Sequence, residues 1–219
     1  MKILAFTDFH GNQGAYQNAR LLIANEKPDF VIVAGDILNY DFNKAKLLLF
    51  DLAAAGSPVY FVPGNMDSEE LGNWAGGENV HALHGRCENR EGVSLIGLGG
   101  SPHSPFKTVF EYSEQEAATL IGAAARGYRL GKLILVSHCP PRNTEVDRVS
   151  GGEHIGSTAV REFVEKRQPA LVVSGHVHEA QGTDTLGSTI LVNTGPAQRG
   201  HYAHITLGDD VTVKFAKLF

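Results

Sequence analysis

Apolar and polar positions come in blocks along the chain. Short apolar runs at 2–6 (KILAF), 30–35 (FVIVAG) and 59–64 (VYFVPG) are bounded by turn residues and read as buried strands. Between them, 14–26 carries Ala15, Ala19, Leu22 and Ile23 on one helical face. The stretch 43–55 is helical in composition, with Gly56 as its C-terminal stop. Strand–helix–strand–helix–strand at this spacing predicts βαβ units and a parallel sheet. Further strands are expected at 93–100, 132–138 and 169–176. Helices are expected at 113–127, opened by a capping box of Ser113 and Glu116, and at 157–168. Three short runs near 188–193, 201–207 and 211–216, split by Gly, Asn and Asp, predict antiparallel strands. The expected fold is α/β: a four-layer α/β/β/α sandwich of two mixed sheets flanked by helices, one domain over 1–219.

Composition agrees with a globular chain: 219 residues, 42% apolar and 20% charged. A chain this long buries enough surface to fold without disulfide staples, and it has only Cys87 and Cys139. The net charge of −5 provides no general positive field, so no stable grip on nucleic acid is expected. No apolar run approaches the length of a membrane span, and the start MKILAFTDFHG turns polar too soon for a secretory signal. A cytoplasmic, reduced setting is expected, with the exposed edge of the tail strands as a place for a homodimer.

Glycine (25) and histidine (10) change this picture, because both concentrate where apolar runs stop. Five segments share that form: Asp8-Phe9-His10-Gly11-Asn12, Gly35-Asp36, Gly64-Asn65-Met66-Asp67, Ser137-His138-Cys139-Pro140 and Gly175-His176-Val177-His178. Ligands of open α/β sheets bind beyond the carboxyl ends of the strands, where all five would meet. Each fragment alone is a common turn sequence; their joint occurrence carries the inference. The O and N donors suit Mn²⁺, Fe²⁺ or Zn²⁺ rather than a thiolate site. Seven donors exceed the needs of one ion, and two ions sharing a carboxylate form the usual clamp for attack at phosphorus.

The order Asp-x-His-Gly-Asn, Gly-Asp, Gly-Asn-x-Asp, His, Gly-His-x-His resembles the calcineurin-like metallophosphoesterases. The loops GGSPHSPF and GGEHIGS look like the Icc-related branch, and VNTGPAQRGHYAHITL is similar to the family's closing strands. The resemblance implies two divalent ions, with Mn favoured over Fe or Zn. Asp8, His10 and His178 would hold the first, Asn65, His138 and His176 the second, and Asp36 would bridge. It makes Asp36, Asn65 and Asp67 the catalytic set, with a hydroxide between the ions as nucleophile. Asn12 would be outer-sphere or substrate-facing. Arg142 is a candidate phosphate contact.

One position departs from the family. Its motif usually has a His where this chain has Met66, and that His contacts the phosphate and protonates the leaving oxygen. A thioether carries no proton and accepts weakly. His103 and His154, in Gly-rich loops, are the candidates to stand in at the substrate. The implied activity is hydrolysis of a small phosphodiester or phosphomonoester, a nucleotide among the candidates. A non-catalytic metal-binding or scaffold module of the same fold is the competing reading.

Overall fold

A computed structural model describes residues 1–129 and 131–219. In chain order the elements are β1 (Lys2–Phe6), α1 (Gln13–Glu26), β2 (Phe30–Ala34), α2 (Phe42–Ala53), β3 (Val59–Val62), α3 (Glu69–Asn73), β4 (Gly76–Gly77), β5 (Val80–Ala82), β6 (Cys87–Arg90) and β7 (Val93–Leu98). There follow β8 (Ser101–Pro102), β9 (Glu111–Tyr112), α4 (Glu114–Ala124), β10 (Lys132–Ser137), α5 (Thr158–Arg167), β11 (Leu171–Ser174), β12 (Gly182–Leu186), β13 (Thr189–Asn193), β14 (His201–Leu207) and β15 (Val211–Lys217).

One sheet runs β15-β14-β1-β2-β3-β5-β4, the other β12-β13-β11-β10-β7-β6, and β8-β9 form a small pair. Strands β1, β2, β3 and β5 are mutually parallel, as are β7, β10, β11 and β13. Each central strand divides its side chains between two cores. Leu4 and Phe6 of β1 pack under α1 and α2 with Ala19, Ile23 and Leu49. Ile3 and Ala5 face the other sheet, meeting a layer that holds Leu95, Ile134, Val136 and Val173. On that sheet's far side, Ile96, Leu135 and Val172 pack with Ile121 of α4 and Val160 and Val164 of α5. Both faces of the central strands are therefore covered, which is why they read as unbroken apolar runs. The expected four-layer α/β/β/α arrangement is what the chain adopts.

The capping box at Ser113 forms, with Ser113 Oγ accepting from Glu116 N at 3.2 Å and Glu116 accepting from Ser113 N at 2.8 Å. The helix stops at Ala124 and a 3₁₀ turn completes the expected span to 127. One expectation is corrected. The run near 188–193 was expected to be antiparallel to its neighbours, but β13 lies parallel to β11 and antiparallel only to β12. TILVN is apolar enough for an interior place, whereas the polar GTDTL of β12 takes the edge. Strands β4 to β6, β12 and helix α3 carried no apolar run and were not read from the sequence. No helix among the described residues is long and apolar enough to cross a membrane.

Candidate metal centre

Asp8, Asp36 and Asn65 follow β1, β2 and β3, and His138 and His176 follow β10 and β11. The parallel strands end at one edge of the paired sheets, so five loops meet there. Their backbones interlock. Asp8 N donates to Gly35 O at 2.9 Å, His10 N to Asp36 O at 2.9 Å and Gly175 N to His138 O at 3.0 Å. Asp8 (φ 52°), His10 (φ 46°), Asp36 (φ 50°) and His176 (φ 65°) all occupy the left-handed region. That conformation costs a non-glycine residue about 1–3 kcal/mol and persists where packing over-determines it, commonly at functional sites. It turns each chain sharply off its strand, so that the side chains converge.

Two glycines allow the loops to approach this closely. A Cβ on Gly64 would run into Asp36, and one on Gly175 into Thr7 Oγ1 and Asp8 Oδ2. Gly175→Ala requires no forbidden backbone angle, so its cost is overpacking, about 1–3 kcal/mol. A fall in melting midpoint of about 2–4 °C per kcal/mol is expected by differential scanning calorimetry, together with weaker metal binding.

The donor atoms lie in two overlapping clusters. In the first, His178 Nε2 lies 3.1 Å and His10 Nε2 3.7 Å from Asp8 Oδ1, and His10 Nε2 is 3.5 Å from Asp36 Oδ2. In the second, His138 Nε2 is 3.6 Å from the same Asp36 Oδ2, and Asn65 Oδ1 lies 2.9 Å from both His138 Nε2 and His176 Nδ1. Asp8, His10 and His178, and likewise Asp8, Asp36 and His138, are close enough to share an ion.

The atoms that face away from the centre are anchored. Asp8 Oδ2 accepts from Thr7 Oγ1 at 2.8 Å and from His176 N at 3.1 Å, and Asp36 Oδ1 accepts from Met66 N at 2.9 Å. His138 Nδ1 donates to Ala34 O at 2.8 Å, and His10 Nδ1 to Asn39 Oδ1 at 3.0 Å. Those bonds place the lone pair of each neutral ring on Nε2, the tautomer a metal needs. His138 Nε2 lies 2.9 Å from Asn65 Oδ1, and His10 Nε2 faces His178 Nε2 at 3.4 Å. Oxygen and nitrogen donors are crowded together here, and a cation among them would relieve the crowding. The O/N donor set therefore fits divalent ions.

The electrostatics show the same strain. Burial raises the Asp36 carboxyl, and the charge of Asp8 adds to it against the pull of His138 and His10. Burial also opposes ionisation of Asp8, but the hydrogen bond from His178 and the nearby His138 outweigh it and hold the carboxyl well below its ordinary range. Desolvation, reinforced by His138, pushes His176 down to about 3.

All seven donors expected from the sequence are thus brought together. Asp67 is not with them and is corrected to a positioning role. It is fully buried, and its carboxylate accepts from Ile37 N at 3.1 Å, Leu38 N at 2.8 Å and Gly64 N at 2.8 Å, holding the loop after β3 to the loop after β2. Asn12 lies at the exposed start of α1. Its Oδ1 caps α1 through Ala15 N at 3.0 Å and its Nδ2 donates to Gln198 O at 3.2 Å, so both ends of the amide are engaged. The Arg142 side chain has no bonded partner among the described residues, and its carbonyl accepts from Arg161 at 2.8 Å. His103 is 68% exposed and 3.6 Å from Glu111. His154 Nδ1 lies 2.7 Å from Asp147. Trp74 packs on Phe42, Phe50 and Phe61, whereas Phe106 is largely exposed to solvent.

The sequence reading missed the supporting shell. Asn39 orients His10. Buried Asn193 donates to Val146 O, Gly175 O and Val177 O at 3.1, 3.2 and 2.9 Å, tying the loop of the His176–His178 pair to the segment before Asp147. An Asn in a turn or at a strand end carries no sequence signal that separates this work from ordinary turn formation.

The comparisons with known proteins agree with the geometry. Residues 1–180 match the family model described as calcineurin-like phosphoesterase. An uncharacterized protein of Methanocaldococcus jannaschii, MJ1162, is 31% identical over 203 residues, covering 90% of this chain and 88% of that protein. Among solved structures, Thermus thermophilus TT1561 superposes with a TM-score of 0.78 at 17% identity, covering 100% of this chain and 99% of that one. A conserved Streptococcus pneumoniae protein described as a predicted phosphoesterase gives 0.51 at 14% identity, over 99% and 89% of the two chains. At those identities the two structures show a shared fold. By the match over most of its length and by its archaeal relative, the chain belongs to the calcineurin-like phosphoesterase family.

Proposed function

We propose that this chain is a two-metal phosphoesterase that hydrolyses a small phosphodiester or phosphomonoester, nucleotides included, by direct attack of water. The observation that carries the reading is Asp36 Oδ2, the one carboxylate oxygen within 3.5 Å of His10 and 3.6 Å of His138, the nearest members of the two donor groups. Asp8, His10 and His178 would hold one ion, Asn65, His138 and His176 the other, and Asp36 would serve both. The mixture of carboxylate, amide and imidazole donors suits Mn²⁺, Fe²⁺ or Zn²⁺, of which the family resemblance favours Mn²⁺. Two such ions supply Lewis acidity at the phosphoryl oxygens and lower the pKa of water toward neutrality.

The chain's own residues supply placement. Thr7 and the His176 N–H hold Asp8 by its far oxygen, leaving Oδ1 toward the centre. The Met66 N–H does the same for Asp36, so the residue at this position supports the centre through its backbone whatever its side chain. The Met66 side chain offers the departing oxygen no proton. Proton donation contributes about 10²–10⁴-fold to such reactions, so esters of poor leaving groups depend on a donor elsewhere in the site.

Reconstitution tests the proposal. Protein stripped with EDTA is expected to bind close to two equivalents of Mn²⁺ by calorimetry and to regain hydrolysis of a p-nitrophenyl phosphodiester in step with the metal. A protein that binds no metal and turns over no phosphoester after loading with Mn²⁺, Fe²⁺ or Zn²⁺ overturns it in favour of a scaffold.

A further inference from the structure

We propose that His154, oriented by buried Asp147, is the proton donor to the departing oxygen; this rests on the two-metal phosphoesterase reading above. The chain has ten histidines. Four are in the metal centre. Of the other six, His81 stacks on Tyr60 at 4.7 Å between ring centroids, and His204 sits between Glu26 and Tyr202. His201 is bound to Gln181 at 2.6 Å. His84 accepts from Gly99 N on Nδ1 at 2.8 Å, and burial pushes it down to about 4, so it carries no spare proton near neutrality. His103 is mostly solvated, and its loose 3.6 Å approach to Glu111 does not orient it.

His154 differs from all of these. Its Nδ1 lies 2.7 Å from Asp147 Oδ1, and its side chain is 30% exposed. Asp147 is fully buried and fixed by the N–H groups of Asn143 at 3.1 Å, Thr144 at 2.8 Å and Gly156 at 2.9 Å. A carboxylate held on a rigid loop grips one ring nitrogen and leaves Nε2 free, with no partner among the described residues. This is the geometry by which a carboxylate sets the tautomer and direction of a working imidazole and stabilises its charged form.

The pair is attached to the metal centre on two sides. Cys139, next to ligand His138, donates through Sγ to Ile155 O at 3.7 Å, and Ser157 N donates to Pro140 O at 2.9 Å. Asn193 ties Val146, the residue before Asp147, to the carbonyls of Gly175 and Val177. The loop is therefore pinned between the loops that carry His138 and the His176–His178 pair. Arg148 is bridged to His154 within the loop, Arg142 N donates to Ser157 O at 3.0 Å, and Glu114 at the start of α4 accepts from Ser157 Oγ at 2.6 Å.

In the step, the water oxygen bonds to phosphorus as the P–O bond to the alcohol breaks. The electron pair of that bond goes to the departing oxygen, which takes the proton from Nε2 of the His154 imidazolium. The ring recovers a proton from solvent, balancing the one the attacking water releases. The ring must carry that proton when the ester is bound.

The test compares a p-nitrophenyl with an alkyl ester of the same phosphate, using Mn²⁺-loaded wild type, His154→Ala, His154→Gln and Asp147→Asn, with circular dichroism and Mn²⁺ stoichiometry recorded for each. The alkyl ester is expected to lose about 10²–10⁴-fold in kcat/KM in both His154 variants. The nitrophenyl ester, whose leaving group needs no proton, is expected to lose less than about tenfold. Asp147→Asn should lose the alkyl rate to an intermediate extent. In metal-free wild type, a ¹H–¹⁵N spectrum should resolve the His154 Nδ1 proton at low field, and Asp147→Asn and His154→Gln should lack it. Equal losses on the two esters, or absence of that proton in wild type, overturns the proton-donor role while leaving the two-metal reading intact. A wild type that hydrolyses neither ester overturns both.

Discussion

Asp36→Asn is expected to lower metal-dependent hydrolysis by more than about 100-fold, the loss that removal of even an outer-shell partner can cause. Calorimetry should show fewer than two equivalents of Mn²⁺ bound. The amide keeps the shape of the side chain and can still accept from Met66 N, now 2.9 Å from Oδ1, so the loop after β3 stays in place. What is lost is the negative oxygen that His10 and His138 approach from opposite groups. Without metal the same change acts in the other direction. Burial and the charge of Asp8 raise the Asp36 carboxyl, and Asp36 in turn raises Asp67, so the ionised side chain is a cost to the metal-free fold. The metal-free variant should melt at or above the wild-type midpoint near pH 8. Wild type should gain about 2.7 kcal/mol per site at an ion concentration one hundred times Kd, and the variant much less. A variant that binds two ions and turns over at the wild-type rate would show that Asp36 is not the shared ligand.

Asp67→Ala is expected to be the most destabilising single change in the site. It leaves the N–H groups of Ile37, Leu38 and Gly64 without their acceptor, each at a cost of about 1–3 kcal/mol where water cannot reach. The size depends on pH in a direction that can be worked out. Burial, aided by the charge of Asp36, pushes Asp67 up to about 7 from 3.8, against the three N–H groups that pull it down. A carboxyl raised on folding contributes stability that is fully present below the unfolded value and is lost as pH rises through the folded one. Metal-free wild type should therefore lose stability on the order of a few kcal/mol between pH about 4 and about 7 from this group. The alanine variant lacks that slope, so the difference between the two should be larger at pH 5 than at pH 8. Urea titrations of metal-free protein at both values check it; a difference that grows with pH would contradict the assignment.

How much of this was legible beforehand divides by residue. The seven donors were readable because each follows an apolar run that stops at a polar turn, and parallel strands end at one edge. Asp67 and Asn12 looked the same in sequence as Asp36 and Asn65. An Asp or Asn after a strand can point its oxygens at an open centre or back at its own loop, and only the packed loops distinguish the two. Asp147 stands seven residues before His154 in an irregular loop, where no periodicity ties one residue to another. Direction was equally hidden for β13, because an apolar run fits an interior position whether its neighbours run with it or against it.

Apolar blocks of strand and helix length, covered on both faces, determined by themselves the layered α/β architecture and the edge at which the chemistry-bearing turns collect. Their periods are local, and burial of both strand faces leaves few ways to stack the layers. Only the tertiary structure decided which oxygen or nitrogen of each side chain faces the centre and which is tied to the backbone. That choice depends on left-handed turns at Asp8, His10, Asp36 and His176, and on contacts such as His138 to Ala34 and Asn193 to Gly175. Such contacts join segments distant in the chain and exist only once both sheets have packed.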